Sequence, residues 1–160
     1  MRIERRLKDL GLQLPEPMHL PPGVTLSFPW VRVHGNRALV SGHGPLLPDG
    51  SLAAPLGKVG DQVSQEQAYQ AARLTALAVL GSLQRVLGDL DRVTAWLRVS
   101  GMVNAAPGFT GMPAVINGFS DLIVGLWGDE AGSHARSAVG LAELPFGIPV
   151  EIEAEVAIDA

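Results

Sequence analysis

Residues Val150 to Ile158, VEIEAEVAI, alternate without a break. Val150, Ile152, Ala154, Val156 and Ile158 share one parity, and Glu151, Glu153 and Glu155 share the other. A period of two is that of a strand with one face in a core. Residues 30–42, WVRVHGNRALVSG, hold two β-rich runs around His34-Gly35-Asn36, whose Gly and Asn suit a hairpin turn. Arg92 to Val103 predicts another strand, with Val93, Ala95, Leu97 and Val99 on one face. In Ala135 to Ala142, Arg136 shares its parity with Ala138, Gly140 and Ala142, while Ser137, Val139 and Leu141 alternate with them.

Two stretches change the period to that of a helix. Ser64 and Gln67 form a Ser-x-x-Gln capping box, and Ala68, Ala71, Ala72, Ala76, Leu80, Leu83 and Leu87 follow at helical spacing up to a stop at Gly88. Pro113 opens a second helix to Gly128, with Val115, Phe119, Leu122, Leu126 and Trp127 on its apolar side. Residues 2–10 predict a short helix carrying Ile3, Leu7 and Leu10, followed by an extended arm whose Pro15, Pro17, Pro21 and Pro22 forbid helix.

The order hairpin, helix, strand, helix, two strands predicts an α+β sandwich: one sheet with both helices on a single face. The opposite face is then expected to carry Arg136, the three glutamates and many small residues. A broad open sheet face of that kind is commonly buried by symmetric association.

Composition narrows the chemistry. The 160 residues suit one domain, 47% hydrophobic and 18% charged, with a core built from aliphatic residues because aromatics are 5%. A net charge of −4 gives no electrostatic reason to bind nucleic acid. With no cysteine, disulfides, thiolate catalysis and Cys-ligated metals are excluded. No apolar run of membrane-spanning length occurs and the N-terminus is not a secretory signal, so a cytoplasmic protein is expected.

Five residues are candidates for a site. Arg136 is a lone guanidinium among small side chains, either a ligand-binding fork or an ion-pair partner of Glu153 or Glu155. Glu151 either belongs to the solvated side of a strand or has a catalytic role. His43, between two glycines in SGHG, is a loop residue or a titratable ligand contact. Ser41 offers a strand-end hydroxyl, and Ala138 only its backbone. His19, His34, His43 and His134 lack metal-ligand spacing, so no metal is expected. GPLLPDG lacks the Gly-Lys-Ser/Thr ending of a phosphate loop.

HARSAVGLAELP followed by VEIEAEVAI resembles the signature of the RidA family, also called YjgF or L-PSP-like, and LVSGHGPL and WLRVSGMVN match its layout. The resemblance covers roughly residues 30 to 158. It implies a chorismate-mutase-like fold and a homotrimer with clefts between subunits. It divides the chain into an N-terminal helix and proline-rich arm, 1–25, and a RidA-like domain, 26–160. It also implies a hydrolase, a deaminase of reactive imines and enamines such as 2-iminobutyrate, needing no cofactor. Carried over by position, Arg136 holds the substrate carboxylate, Glu151 orients water or relays a proton, and the backbone at Ala138 contacts the reacting group. Ser41 and His43 become pocket contacts, His43 standing where the family has glutamine. The alternatives are a non-catalytic binder of small carboxylates and, less favoured, an endoribonuclease. The family's N-terminal tyrosine is missing, since the one Tyr is Tyr69 on the long helix.

Overall fold

The structure is a computed structural model that describes all residues from Met1 to Ala160. Helix α1 spans Arg2–Asp9. Strands β1, Val31–His34, and β2, Arg37–His43, form the hairpin. Helix α2 runs Gln65–Leu87, strand β3 Val93–Asn104 and helix α3 Met112–Gly132. Strands β4, Ala135–Leu141, and β5, Val150–Ile158, complete the chain. The sheet order is β1-β2-β5-β3-β4, antiparallel except for the parallel β3–β4 pair. A parallel pair needs a crossover, which α3 supplies, and α3 packs beside α2 on one face. The fold is thus the predicted α+β sandwich, one mixed sheet with the two long helices on one side.

Local chemistry places the ends. Ser64 accepts from the Gln67 N–H while the Gln67 side chain accepts from the Ser64 N–H, and Gly88 at φ 82° closes α2. Gly128, at φ 84°, breaks α3 after Trp127, near the predicted stop, and one more turn follows. The core joins Ala38 and Val40 of β2, the five apolar residues of β5 and the helix faces. Trp96 lies edge-on to Phe119 and Trp127, with ring centroids 5.8 and 5.4 Å away. Alternation in β3 fails: register shifts between Val93 and Ala95 and between Trp96 and Arg98 bury Val93, Trp96 and Val99 and leave Leu97 exposed.

Ile3 and Leu7 of α1 belong to this same core. The Asp91 carboxylate accepts from the N–H groups of Arg2 and Ile3, capping α1 from the far side of the chain. The arm after α1 is extended and pinned: the Glu16 and His19 N–H groups donate to the carbonyls of Pro48 and Gly50. No helix is long and apolar enough to cross a membrane.

Candidate functional site

Arg136 lies on the helix-covered side of the sheet, not on the open face where its parity was expected to put it. Its register partner on β3 is Val99, fully buried under the helices. Its Nη1 donates to Asn117 Oδ1 at 2.8 Å and to Ser120 Oγ at 3.1 Å, and its Nη2 donates to the Pro113 carbonyl at 3.3 Å, all on α3. β4 is an edge strand, so the long side chain reaches past its neighbours to the rim of α3, where it stays partly exposed. The same parity places Ala138 and Gly140 under the helix. Glu153 and Glu155, the ion-pair partners considered for Arg136, are on the other face. A guanidinium has five N–H donors. Three are engaged here, which leaves one on Nη2 and the one on Nε, the two that form a side-on fork for a carboxylate.

A histidine missed as a site residue backs this arrangement. His134 Nδ1 donates to the Gly132 carbonyl at 2.7 Å, and its Nε2 meets Ser120 Oγ at 2.8 Å. A carbonyl only accepts, so Nδ1 carries the proton and the Ser120 hydroxyl donates to Nε2. Burial lowers the His134 pKa, the Gly132 carbonyl opposes that, and the Arg136 charge lowers it further. Asn117 and Ser120, three apart, share one helix face. That spacing was legible, but nothing in the sequence said that Arg136 would cross beneath it.

Glu151 stands on the open face beside Gly42, whose hydrogen points at its carboxylate: a Cβ there would lie 2.5 Å from Oε2. Burial raises the Glu151 pKa, and the neighbouring Glu153 adds to the shift. Arg136 aligns with Val99 and so with Ala154, three residues along β5 from Glu151. With about 3.3 Å per residue and about 4.8 Å per strand, their Cα atoms are about 14 Å apart, with side chains on opposite faces. Within one chain they do not form one site.

His43 is 5% exposed and fully engaged: Nδ1 donates to the Ser41 carbonyl at 2.5 Å, and Nε2 accepts from Ser82 Oγ at 2.8 Å. The Trp30 ring packs against it, tilted by 53° with centroids 4.9 Å apart. Burial pushes its pKa down to about 4, with the Arg85 charge adding and the Ser41 carbonyl opposing. Neither nitrogen is available to a ligand. Ser41 Oγ donates to the Pro29 carbonyl at 2.8 Å. It lines an open-face hollow of about 400 Å³ with Arg32, Arg98, Ser100, Glu153 and Glu155. Arg136 lines none of the four best-defined hollows of the single chain.

A mixed sheet in the order β1-β2-β5-β3-β4 under two helices, with an anchored arginine on its edge strand, defines the class as a chorismate-mutase-like sandwich. Residues 4–147 match the family described as "YjgF/chorismate mutase-like, putative endoribonuclease". The chain belongs to that family. The match begins inside α1, so the family pattern reaches further towards the N-terminus than the motif resemblance did. The Trypanosoma cruzi protein TCP17 is 38% identical over 158 residues, covering 99% of this chain and 95% of that protein. The crystal structure of Atu1372 from Agrobacterium tumefaciens is 38% identical, with a TM-score of 0.86 over 99% of this chain and 93% of that one. A Shewanella oneidensis MR-1 protein bearing the same endoribonuclease description is 26% identical, with a TM-score of 0.88 over 99% and 100%.

Proposed function

We propose that the protein is a RidA-type deaminase, a hydrolase that converts reactive 2-imino acids such as 2-iminobutyrate and their enamine tautomers to 2-keto acids. Water adds to the C=N carbon, the tetrahedral adduct expels ammonia, and the C=O bond remains. The observation that carries this reading is Arg136 itself. Its fork is fixed by Asn117, Ser120 and the Pro113 carbonyl, it has no carboxylate partner, and two N–H donors remain free. A 2-imino acid brings the missing carboxylate. Held there, its electrophilic carbon needs only a positioned water and a proton relay.

Glu151 supplies that relay only from another copy, because in its own chain it faces away from Arg136. The reading therefore includes a homotrimer with clefts between subunits, each cleft joining Arg136 and the Ala138 edge backbone of one subunit to Glu151 and Ser41 of the next. The raised pKa of Glu151 suits a group that exchanges a proton with the adduct. His43 stays beneath Ser41 as support.

One observation favours a second reading, a non-catalytic binder of small carboxylates: within the chain Glu151, the candidate proton relay, lies on the face of the sheet opposite Arg136. An endoribonuclease fits the charge of −4 least. The test generates 2-iminobutyrate in situ and follows 2-ketobutyrate release. Turnover in the wild type, lost in Arg136→Ala and in Glu151→Gln, is the expected result. Absence of turnover with 2-ketobutyrate binding retained identifies the binder, and RNA cleavage lost in Arg136→Ala would overturn both readings.

A further inference from the structure

Two of the four histidines are built into the same chain of hydrogen bonds. In the inner copy Arg85 Nη2 donates to Ser82 Oγ at 3.1 Å, Ser82 donates to His43 Nε2, and His43 Nδ1 donates to the carbonyl two residues back. In the outer copy Arg136 donates to Ser120, Ser120 to His134 Nε2, and His134 Nδ1 to the carbonyl two residues back. In the inner copy Ser82 and His43 are buried, while Arg85 itself stays exposed. Arg85 Nη1 donates to the Pro15 carbonyl of the arm, and the hollow left beside Met18 and Trp30 is about 10 Å³, scarcely room for one water. The outer copy is open at its serine and histidine as well. Ser120, His134 and Arg136 all retain exposure.

We infer that His134, joined to Arg136 through Ser120, makes the Arg136 fork a proton-coupled anion site, which binds a small carboxylate most tightly when His134 is protonated. The inference rests on the reading of Arg136 as a carboxylate fork and adds a regulation of that site.

The coupling is electrostatic and rests on the Arg136–Ser120–His134 chain. A proton on Nε2 turns His134 into a donor to Ser120 Oγ. The Ser120 oxygen then accepts from both His134 and Arg136, on the Nη1 side of the guanidinium and away from the Nε–Nη2 fork. The imidazolium also adds a second positive charge near the bound carboxylate. Without an anion, that charge faces only the Arg136 guanidinium, which opposes protonation. Other charged groups on the surrounding elements bear little on it. Asp121 of α3 accepts from the Tyr69 hydroxyl, Asp129 and Glu130 lie exposed at the end of α3, and Arg98 of β3 is on the open face. Burial and Arg136 both disfavour the imidazolium of His134 in the free protein, against the Gly132 carbonyl, and a bound anion would favour it.

Pyruvate, ionised throughout, serves as the probe. Its dissociation constant is measured by calorimetry from pH 8 to 5 for the wild type and for His134→Gln, Ser120→Ala and Arg136→Ala. The expected wild-type affinity tightens as the pH falls from 8 to 5, with a ceiling on the order of fivefold, the scale of two unit charges about 8 Å apart in a partly wet site. His134→Gln is expected to bind without that slope, and Ser120→Ala with a reduced slope. On the wild type alone, the His134 ring resonances in NMR are expected to titrate at higher pH with pyruvate bound. Equal slopes in the wild type and His134→Gln, or a His134 titration unmoved by pyruvate, overturn the coupling and leave the fork intact. Pyruvate binding that is absent from the wild type, or undiminished in Arg136→Ala, overturns the fork reading and the coupling with it.

Discussion

Lowering the pH from 7 to 5 should destabilise the protein through His43. The ring is neutral in the fold, because Nδ1–H is committed to the Ser41 carbonyl and Nε2 to the Ser82 hydroxyl. A proton on Nε2 would force the Ser82 hydroxyl hydrogen to turn away and would put a charge in a buried site under α2, close to Arg85. The folded pKa of about 4 lies below the ordinary 6.5. Between these values the unfolded chain binds the extra proton, so stability falls with decreasing pH. It is fully present above pH 6.5, and its loss is complete below pH 4. The 2.5-unit gap corresponds to about 3 kcal/mol in total, of which about 2 kcal/mol is lost by pH 5. The assay is urea unfolding at fixed protein concentration, at pH 7 and 5, for the wild type and His43→Gln. The variant loses some stability at pH 7 but does not titrate, so the gap between the two proteins should narrow by about 2 kcal/mol at pH 5. The other carboxylates titrate in both proteins and cancel. A gap unchanged with pH would refute the reasoning.

Two further perturbations test the packing. A Cβ on Gly118 would lie 2.0 Å from the Tyr69 carbonyl oxygen and 3.2 Å from Ala72 Cβ, where α3 crosses α2; because backbone cannot yield, Gly118→Ala should cost about 3 kcal/mol or more in thermal or urea melts, and a melting temperature within a few degrees of wild type would count against so close a crossing. Asp91 caps α1, and although burial pushes its pKa up, the Arg2 and Ile3 N–H groups and the Met1 ammonium together pull it to about 2; Asp91→Ala should cost about 1 kcal/mol and speed hydrogen exchange in α1 selectively, while uniform exchange rates would argue against a local cap.

What the sequence made legible follows from periodicity. VEIEAEVAI buries its apolar parity as read, and the Ala-rich run becomes α2 with the capping box and Gly88 in place. β4 was misread for a physical reason. Both of its parities are weakly apolar, and the bulkier one, Val139 and Leu141, seemed the inner one, yet these side chains are 46% and 36% exposed. The inner parity is small because α3 lies close: a Cβ on Gly101, the register partner of Ala138, would sit 2.6 Å from Ile116, and one on Gly140 would sit 3.8 Å from Met112 Sδ at the start of α3. On this edge strand small side chains marked the helix contact. The pairings of His43 with Ser82 and Ser120 with His134 join residues 39 and 14 positions apart without any repeating pattern, so only the fold brings them together.

The placement of Arg136 and Glu151 on opposite faces has a consequence for assembly. If one substrate meets both, the contact joins two different patches, the β4 rim of one chain and the open sheet of the next. Such a heterologous contact closes into a ring when its rotation permits. Each site then takes its arginine and its glutamate from different chains, and two inactive variants can repair one another. Arg136→Ala and Glu151→Gln, unfolded together and refolded as a mixture, should regain about a quarter of the wild-type sites, since half the arginine donors and half the glutamate donors are intact in each random pairing. Keto-acid release from the mixture, against each variant refolded alone, is the measurement. Active variants would remove one residue or the other from the chemistry. If both are inactive alone and the mixture stays inactive despite exchange of subunits, the two residues do not meet across a subunit boundary, and the composite cleft is refuted.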